Sequence, residues 1–186
     1  MTRVGVRHVV LVGYRGCGKT TVGALVAGAL SVPFIDTDEL IAAGAGMSIA
    51  EVFASKGESG FRGLEASVIR DVTSGGAAVI AVGGGAVLSA DNVKSMRANG
   101  VVIWLTASAE TLAARIGADA SSVRARPALT SMGGLDEVRA LLAAREPLYR
   151  GSAEVTFSSE DQSPEQIARD VVRWLADRGM RVSASE

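Results

Sequence analysis

Four residues near the amino terminus carry the most specific chemical signal in the chain. Gly13, Gly18, Lys19 and Thr20, within "GYRGCGKTTVG", fit the spacing GxxxxGK[ST], a loop whose backbone amides surround the phosphates of a nucleotide. The apolar run "HVVLV" (His8 to Val12) precedes it and a helical pattern follows, which is the context this motif requires. Gly16, Cys17 and Gly18 build the cradle, Lys19 would reach the β and γ phosphates, and Thr20, with Thr21 beside it, would offer a hydroxyl to Mg²⁺. Nucleotide binding follows from these residues; the group that receives the phosphate does not.

Further candidates lie downstream. Asp36 and Asp38 in "IDTDEL" follow an apolar run, and carboxyl ends of parallel strands line the ligand crevice, so both would face the phosphates. One could hold a metal through water and the other accept a proton from an attacking hydroxyl; either could instead cap the next helix. Arg62 in "GFRGLE", Arg126 in "RARPAL" and Arg145 in "AREPLYR" each sit among residues that fix the chain, and two guanidinium forks converging on one pocket would suit a carboxylate substrate. Gly83, Gly84 and Gly85 follow a buried strand, where bare backbone permits close approach of a ligand.

The elements needed to position these groups are legible as an alternation of strand-like runs and helical patterns, the signature of an α/β fold: a parallel sheet with helices on both faces. The expected strands are Val9 to Val12, Pro33 to Ile35, Ala78 to Val82, Val101 to Leu105 and Glu154 to Phe157. Lys19 to Leu30 reads as a helix with Val22, Leu25, Val26 and Ala29 turned to the sheet. Ser48 and Glu51 form a capping box opening the helix "IAEVFASKG"; Ser163, Pro164 and Gln166 start the last helix. The stretch from Ala118 to Gly134 fits neither pattern and reads as a lid or a slack surface loop. The closing "RVSASE" is expected to fray.

Composition bounds the remaining choices. The 186 residues make one domain, and a formal charge of −1 without basic blocks gives no field for gripping nucleic acid. One Cys and one His exclude a zinc cluster, and the single Cys17 points to a reducing, cytoplasmic compartment. No apolar run is long enough to span a membrane. The excess of arginine over lysine follows base composition except where particular arginines bind anions.

In order and spacing, "GYRGCGKTT", "DTDELI", "SIAEVFASKGESGFRGLE", "VGGGAV", "RPAL" and "AREPLYR" together resemble the shikimate kinase family from about Val9 to Leu175. The resemblance implies a five-stranded nucleoside-monophosphate-kinase-like fold with a lid at about 118–134, and transfer of phosphate from ATP to the 3-hydroxyl of shikimate in aromatic biosynthesis. It makes Asp38 the base and a substrate contact, and Asp36 the residue that positions Mg²⁺. Arg62 and Arg145 would hold the substrate carboxylate, and the Gly83–Gly85 run would donate a backbone amide from Gly84. Arg126 becomes the lid arginine on the phosphates, with Arg124 its rival because "RPAL" stands where "RPLL" is common. Arg115 and Gln162 become nucleotide contacts. A monomer without nucleic-acid or membrane partners is expected. Two alternatives stay open: a gluconate kinase of the same fold, and a nucleotide-binding regulator without turnover.

Overall fold

Five strands form one parallel sheet, and the alternation of side chains along them explains why it is covered on both faces. In the computed structural model, which describes residues 5–118 and 134–182, the order is β3-β4-β2-β5-β6: β2 (His8–Val12), β3 (Phe34–Asp36), β4 (Ala78–Ala81), β5 (Gly100–Thr106) and β6 (Val155–Ser158). Val9, Leu11, Val79, Val101, Ile103 and Leu105 point to one core, and Val10, Val12, Ile80, Val102 and Trp104 to the other. A strand buried on both faces reads as a continuous apolar run, as "HVVLV" does. Burying each such aliphatic side chain contributes about 1.5–3 kcal/mol.

Helices α1 (Lys19–Leu30), α5 (Ala109–Ala118) and α7 (Pro164–Asp177) supply Val26, Leu112 and Val171 to the first core. Helices α3 (Ile49–Ser74), α4 (Ala90–Ala98) and α6 (Gly134–Ser152) supply Ile69, Met96 and Tyr149 to the second. A third, smaller cluster of Ile41, Ile49, Val52 and Phe61 joins α2 (Thr37–Ala45) to α3. It holds these two helices as a shoulder beside the sheet's carboxyl edge.

All five expected strands form, each shifted by no more than a residue or two at its ends. The Ser48–Glu51 capping box is present, with the Ser48 amide donating to Glu51 Oε2 at 2.7 Å. Ser163 caps α7, but the Gln166 side chain donates to Asp170 rather than back to the cap. Three expectations change. The helix opened by Ser48 does not stop at Gly57: the backbone breaks there, at φ 67°, and a further helical stretch carries Arg62 and Glu65 on to Ser74. The buried stripe of α1 is Val22, Gly23, Val26 and Ala27, while Leu25 and Ala29 face outward, because the helix lies closer to the sheet than a side chain at position 23 would permit. Finally, "RVSASE" begins ordered: β7 (Arg181–Val182) pairs in parallel with β1 (Gly5–Val6) as a separate two-stranded sheet. The expected lid between Ala118 and Gly134, with Arg124, Arg126 and Pro127, falls on residues 119–133 and lies outside the described residues.

The close seating of α1 is testable. A Cβ at Gly23 would lie 2.4 Å from Phe34 Cε2 and 3.2 Å from Leu11 Cδ1. Gly23→Ala gains about 1 kcal/mol of helix propensity but overpacks at a cost of about 1–3 kcal/mol. Since Leu11 is fully buried and the Phe34 ring packs against the core, the clash is expected to win and the thermal unfolding midpoint to fall; an increase would show that Phe34 can move aside.

Candidate active site

The carboxyl end of β2 delivers the chain into the phosphate loop, and glycines are required there. Gly13, Gly16 and Gly18 have φ of 144°, 84° and 92°, and a Cβ at Gly13 would stand 2.2 Å from the Leu105 carbonyl oxygen. Gly18 is the N-cap of α1, with no side-chain cap and no acidic residue in the first turn. The helix therefore presents its unpaired amides and positive dipole end to an anion without an internal competitor. Lys19 Nζ donates to the carbonyls of Gly13 at 2.8 Å and Tyr14 at 3.1 Å and lies 3.8 Å from Cys17 Sγ, which is buried.

A cavity opens over this loop, lined by Gly16 to Thr21 and by Arg115, Ser159 and Gln162, with Arg115 donating to the Gly16 carbonyl at 3.4 Å. Arg115 is held in place: it donates to the Ser159 carbonyl at 2.6 Å and to Ser159 Oγ at 3.0 Å. The segment carrying Ser159 and Gln162 is tied to the start of α5 by Glu160. Its carboxylate accepts from Thr111 Oγ1 at 2.5 Å, the Ser108 amide at 2.6 Å and Ser108 Oγ at 2.7 Å. These bonds, that from Thr111 first, hold the Glu160 carboxyl down to about 2.

Asp36 takes the capping role that the sequence left open as an alternative, and both of its carboxylate oxygens accept a hydrogen bond. Its Oδ1 accepts from the Asp38 amide at 3.0 Å, capping α2, and its Oδ2 accepts from Thr20 Oγ1 at 3.0 Å. A hydroxyl and a carboxylate oxygen therefore stand together at the nucleotide cavity, a hard oxygen pair that fits Mg²⁺. Among the described residues no cluster of three or more His, Cys, Asp or Glu could hold a metal by itself.

A second cavity adjoins the first on the side of α2 and α3. Arg62, Arg145, Asp38 and all three glycines of the 83–85 run line it, so the structure brings together every acceptor-side candidate. Arg145, on α6, is buried, donates to the Gly84 carbonyl at 3.4 Å and has its guanidinium 5.8 Å from the Tyr14 ring centre. Arg62 packs over Phe61 and donates to Glu65 Oε2 at 2.7 Å.

The glycines have a reason beyond ligand approach. A Cβ at Gly83 would meet Glu65 Oε1 at 2.8 Å and Asp38 Oδ1 at 3.0 Å, and one at Gly85 would lie 2.5 Å from both terminal nitrogens of Arg62. Bare backbone at these two positions makes room for the site's own charged side chains. Gly84 meets no such obstacle; its carbonyl is fixed by Tyr149, whose hydroxyl donates to it at 2.5 Å.

Glu65, Tyr149 and Glu160 were not singled out from the sequence. Glu65 stands three residues after Arg62, the helical spacing of an ion pair, and that was the available signal. It is 1% exposed, and burial pushes its carboxyl up despite the guanidinium of Arg62 beside it. Burial likewise pushes the Tyr149 phenol up, so it is a neutral donor. His8, expected to be structural, is buried with Nε2 donating to the Thr73 carbonyl at 3.0 Å, and burial lowers its pKa.

Glu160 generates a pH prediction. Its folded pKa of about 2 lies below the ordinary 4.5, so its bonds stabilise the fold above 4.5 and that contribution is lost as pH falls toward 2. Wild type should unfold at higher temperature than Glu160→Gln at neutral pH, and the gap should close on acidification through this window; a gap that stays constant would remove the ionised carboxylate as its source.

Comparison with known proteins adds independent support. The sequence model of the family described as "SKI: Shikimate kinase" matches residues 15–176. The shikimate kinase of Symbiobacterium thermophilum is 43% identical over 174 residues, covering 94% of this chain and 99% of that protein. That of Rhodopirellula baltica is 40% identical, covering 90% and 89%. The solved structure of Acinetobacter baumannii shikimate kinase in complex with shikimate superimposes with a TM-score of 0.86 at 33% identity, covering 92% of this chain and 94% of that one. A gluconokinase from Sinorhizobium meliloti, at TM-score 0.54 and 16% identity, shares the fold alone. With the phosphate loop, the two adjoining cavities and a family match across most of its length, this chain belongs to the shikimate kinase family.

Proposed function

We propose that this protein transfers the γ-phosphate of ATP to the 3-hydroxyl of shikimate, giving shikimate 3-phosphate for aromatic amino-acid biosynthesis. The observation that carries this is the junction of the two cavities. Asp38 lines both, standing between the phosphate loop and the pocket that holds Arg62 and Arg145. A phosphate donor and a carboxylate-bearing polyol could thus meet across one carboxylate.

In this reading ATP lies along the larger cavity with its phosphates on the Gly16–Thr21 amides and Lys19, and its base between Arg115 and Gln162. Shikimate lies in the smaller cavity, its carboxylate on Arg62 and Arg145 and its ring against the Gly83–Gly85 backbone. The forks of two arginines orient the ring as well as neutralise it, which places the 3-hydroxyl toward Asp38. Asp38 accepts the hydroxyl proton as the oxygen attacks phosphorus. Thr20 and Asp36 would hold Mg²⁺, which when bound supplies charge neutralisation on the phosphates. Arg126 is the proposed lid contact to the phosphoryl group, with Arg124 its rival. The protein is proposed to act as a single-domain monomer in the cytoplasm, consistent with its one buried cysteine; among the described residues no helix is long and apolar enough to cross a membrane.

ADP release measured with ATP, Mg²⁺ and a panel of shikimate, quinate, gluconate and nucleoside monophosphates tests the acceptor. Saturable turnover with shikimate alone is expected, and turnover with gluconate instead would overturn the pocket assignment. Asp38→Asn should lower kcat by about 10²-fold or more while ATP affinity stays close to wild type, the scale of a lost general base. Near-normal turnover would remove Asp38 from that role. Arg62→Ala should chiefly raise KM for shikimate, and an unchanged KM would show that the carboxylate sits elsewhere.

A further inference from the structure

Arg15 lines both cavities, as Asp38 does, yet the phosphate-loop motif assigns it nothing. Among the described residues, the other guanidiniums around the site are committed. Arg62 is paired with Glu65 and Glu58, Arg145 bonds the Gly84 carbonyl, and Arg115 is fixed by Ser159. Arg15, a half-buried residue, has by contrast no hydrogen-bond or ion-pair partner for its guanidinium among the described residues. Its main chain is fixed all the same. It lies between Tyr14 and Gly16 in the loop, and the Arg15 amide nitrogen would be 3.5 Å from a Cβ placed on Gly84, so the glycine run packs against it.

A rigidly rooted cation with uncommitted donors, standing where donor and acceptor cavities meet, is suited to an anion that passes from one to the other. We infer that Arg15 is a further catalytic residue, one that binds the phosphoryl group in transit. This rests on the reaction proposed above. In that step the bond from phosphorus to the bridging oxygen of ADP breaks and a bond to the acceptor oxygen forms, while the hydroxyl proton goes to Asp38. Arg15 exchanges no proton; its fork follows the charge spread over the equatorial oxygens, and a group placed between the two sites favours the intermediate position over either end. This distinguishes it from Lys19, rooted beneath the nucleotide phosphates, and from Arg62 and Arg145, which lie on the acceptor side only.

The test compares wild type with Arg15→Met and Arg15→Lys in steady-state turnover, and in calorimetric binding of ADP with and without aluminium fluoride, a planar mimic of the migrating group. Arg15→Met should lower kcat by about 10²-fold, as loss of one charge-stabilising donor does, with both KM values near wild type. It should also lose most of the tightening of ADP by aluminium fluoride. Arg15→Lys should recover part of each, keeping the charge without the fork. Because no hydrogen bond or ion pair among the described residues depends on this side chain, the unfolding temperatures should match. A kcat near wild type, or a defect confined to the KM of one substrate, overturns the inference. If wild type fails to turn over shikimate, the proposed acceptor is wrong, but the aluminium fluoride comparison needs no acceptor and still decides on Arg15: unchanged tightening in Arg15→Met rejects it.

Discussion

The acceptor side of the site depends on one buried carboxylate. Two guanidiniums, those of Arg62 and Arg145, line one cavity, and in the proposed reading they share a single anion, which their mutual repulsion opposes. Glu65, almost without exposure and paired to Arg62 at 2.7 Å, supplies the countercharge from within the protein and lowers the cost. The carboxylate is itself strained by this placement, since burial pushes its proton affinity up while Arg62 and Arg145 pull it down. Much of the neighbouring backbone follows from accommodating it: Gly83 and Gly85 have to be bare because Glu65, Asp38 and Arg62 occupy the space of their side chains.

The sheet supplies the second constraint. With every strand of the main sheet parallel, the ends of β2, β3 and β4 open on one edge, and they carry Gly13, Asp36 and the Gly83–Gly85 run respectively. Donor and acceptor groups therefore emerge a strand spacing apart without long-range adjustment. Tyr149 ties this edge to α6. It stacks on Trp104 of β5 with ring centres 5.8 Å apart, and its hydroxyl fixes the Gly84 carbonyl, so the helix that carries Arg145 is registered against the glycine run twice.

What the sequence made legible, and what it hid, divides along the same physical line. Local patterns were readable: the five strands as apolar runs, the Ser48–Glu51 box, and the phosphate loop from Gly13 to Thr20. The acceptor-side candidates Asp38, Arg62 and Arg145 were found by motif order, and they do line one cavity. The hidden features are products of close packing between distant segments. Nothing in the local pattern of α1 says that Gly23 meets Phe34, which turns the buried stripe away from Leu25 and Ala29. Glu160 looks like an exposed loop acid, and only the fold brings it to Ser108 and Thr111. The glycine run reads in the sequence as room for a ligand; only the packing of distant segments shows that the room at Gly83 and Gly85 serves the protein's own charges.

Lys19 shows how the donor side is organised by the same economy of partners. Its ammonium is directed by two carbonyls of its own loop, Gly13 and Tyr14, so the long flexible stem is positioned before any phosphate engages it. A phosphate oxygen that engages Nζ exchanges a neutral carbonyl for an ionised acceptor, and charge-assisted bonds are roughly twice as strong as neutral ones. The exchange favours the nucleotide while leaving the loop's own bonds to return when it departs. Preorganisation by weak neutral partners thus lets the lysine be held in place without opposing the charge it has to meet, whereas pairing it with a carboxylate would have set an anion against the phosphates.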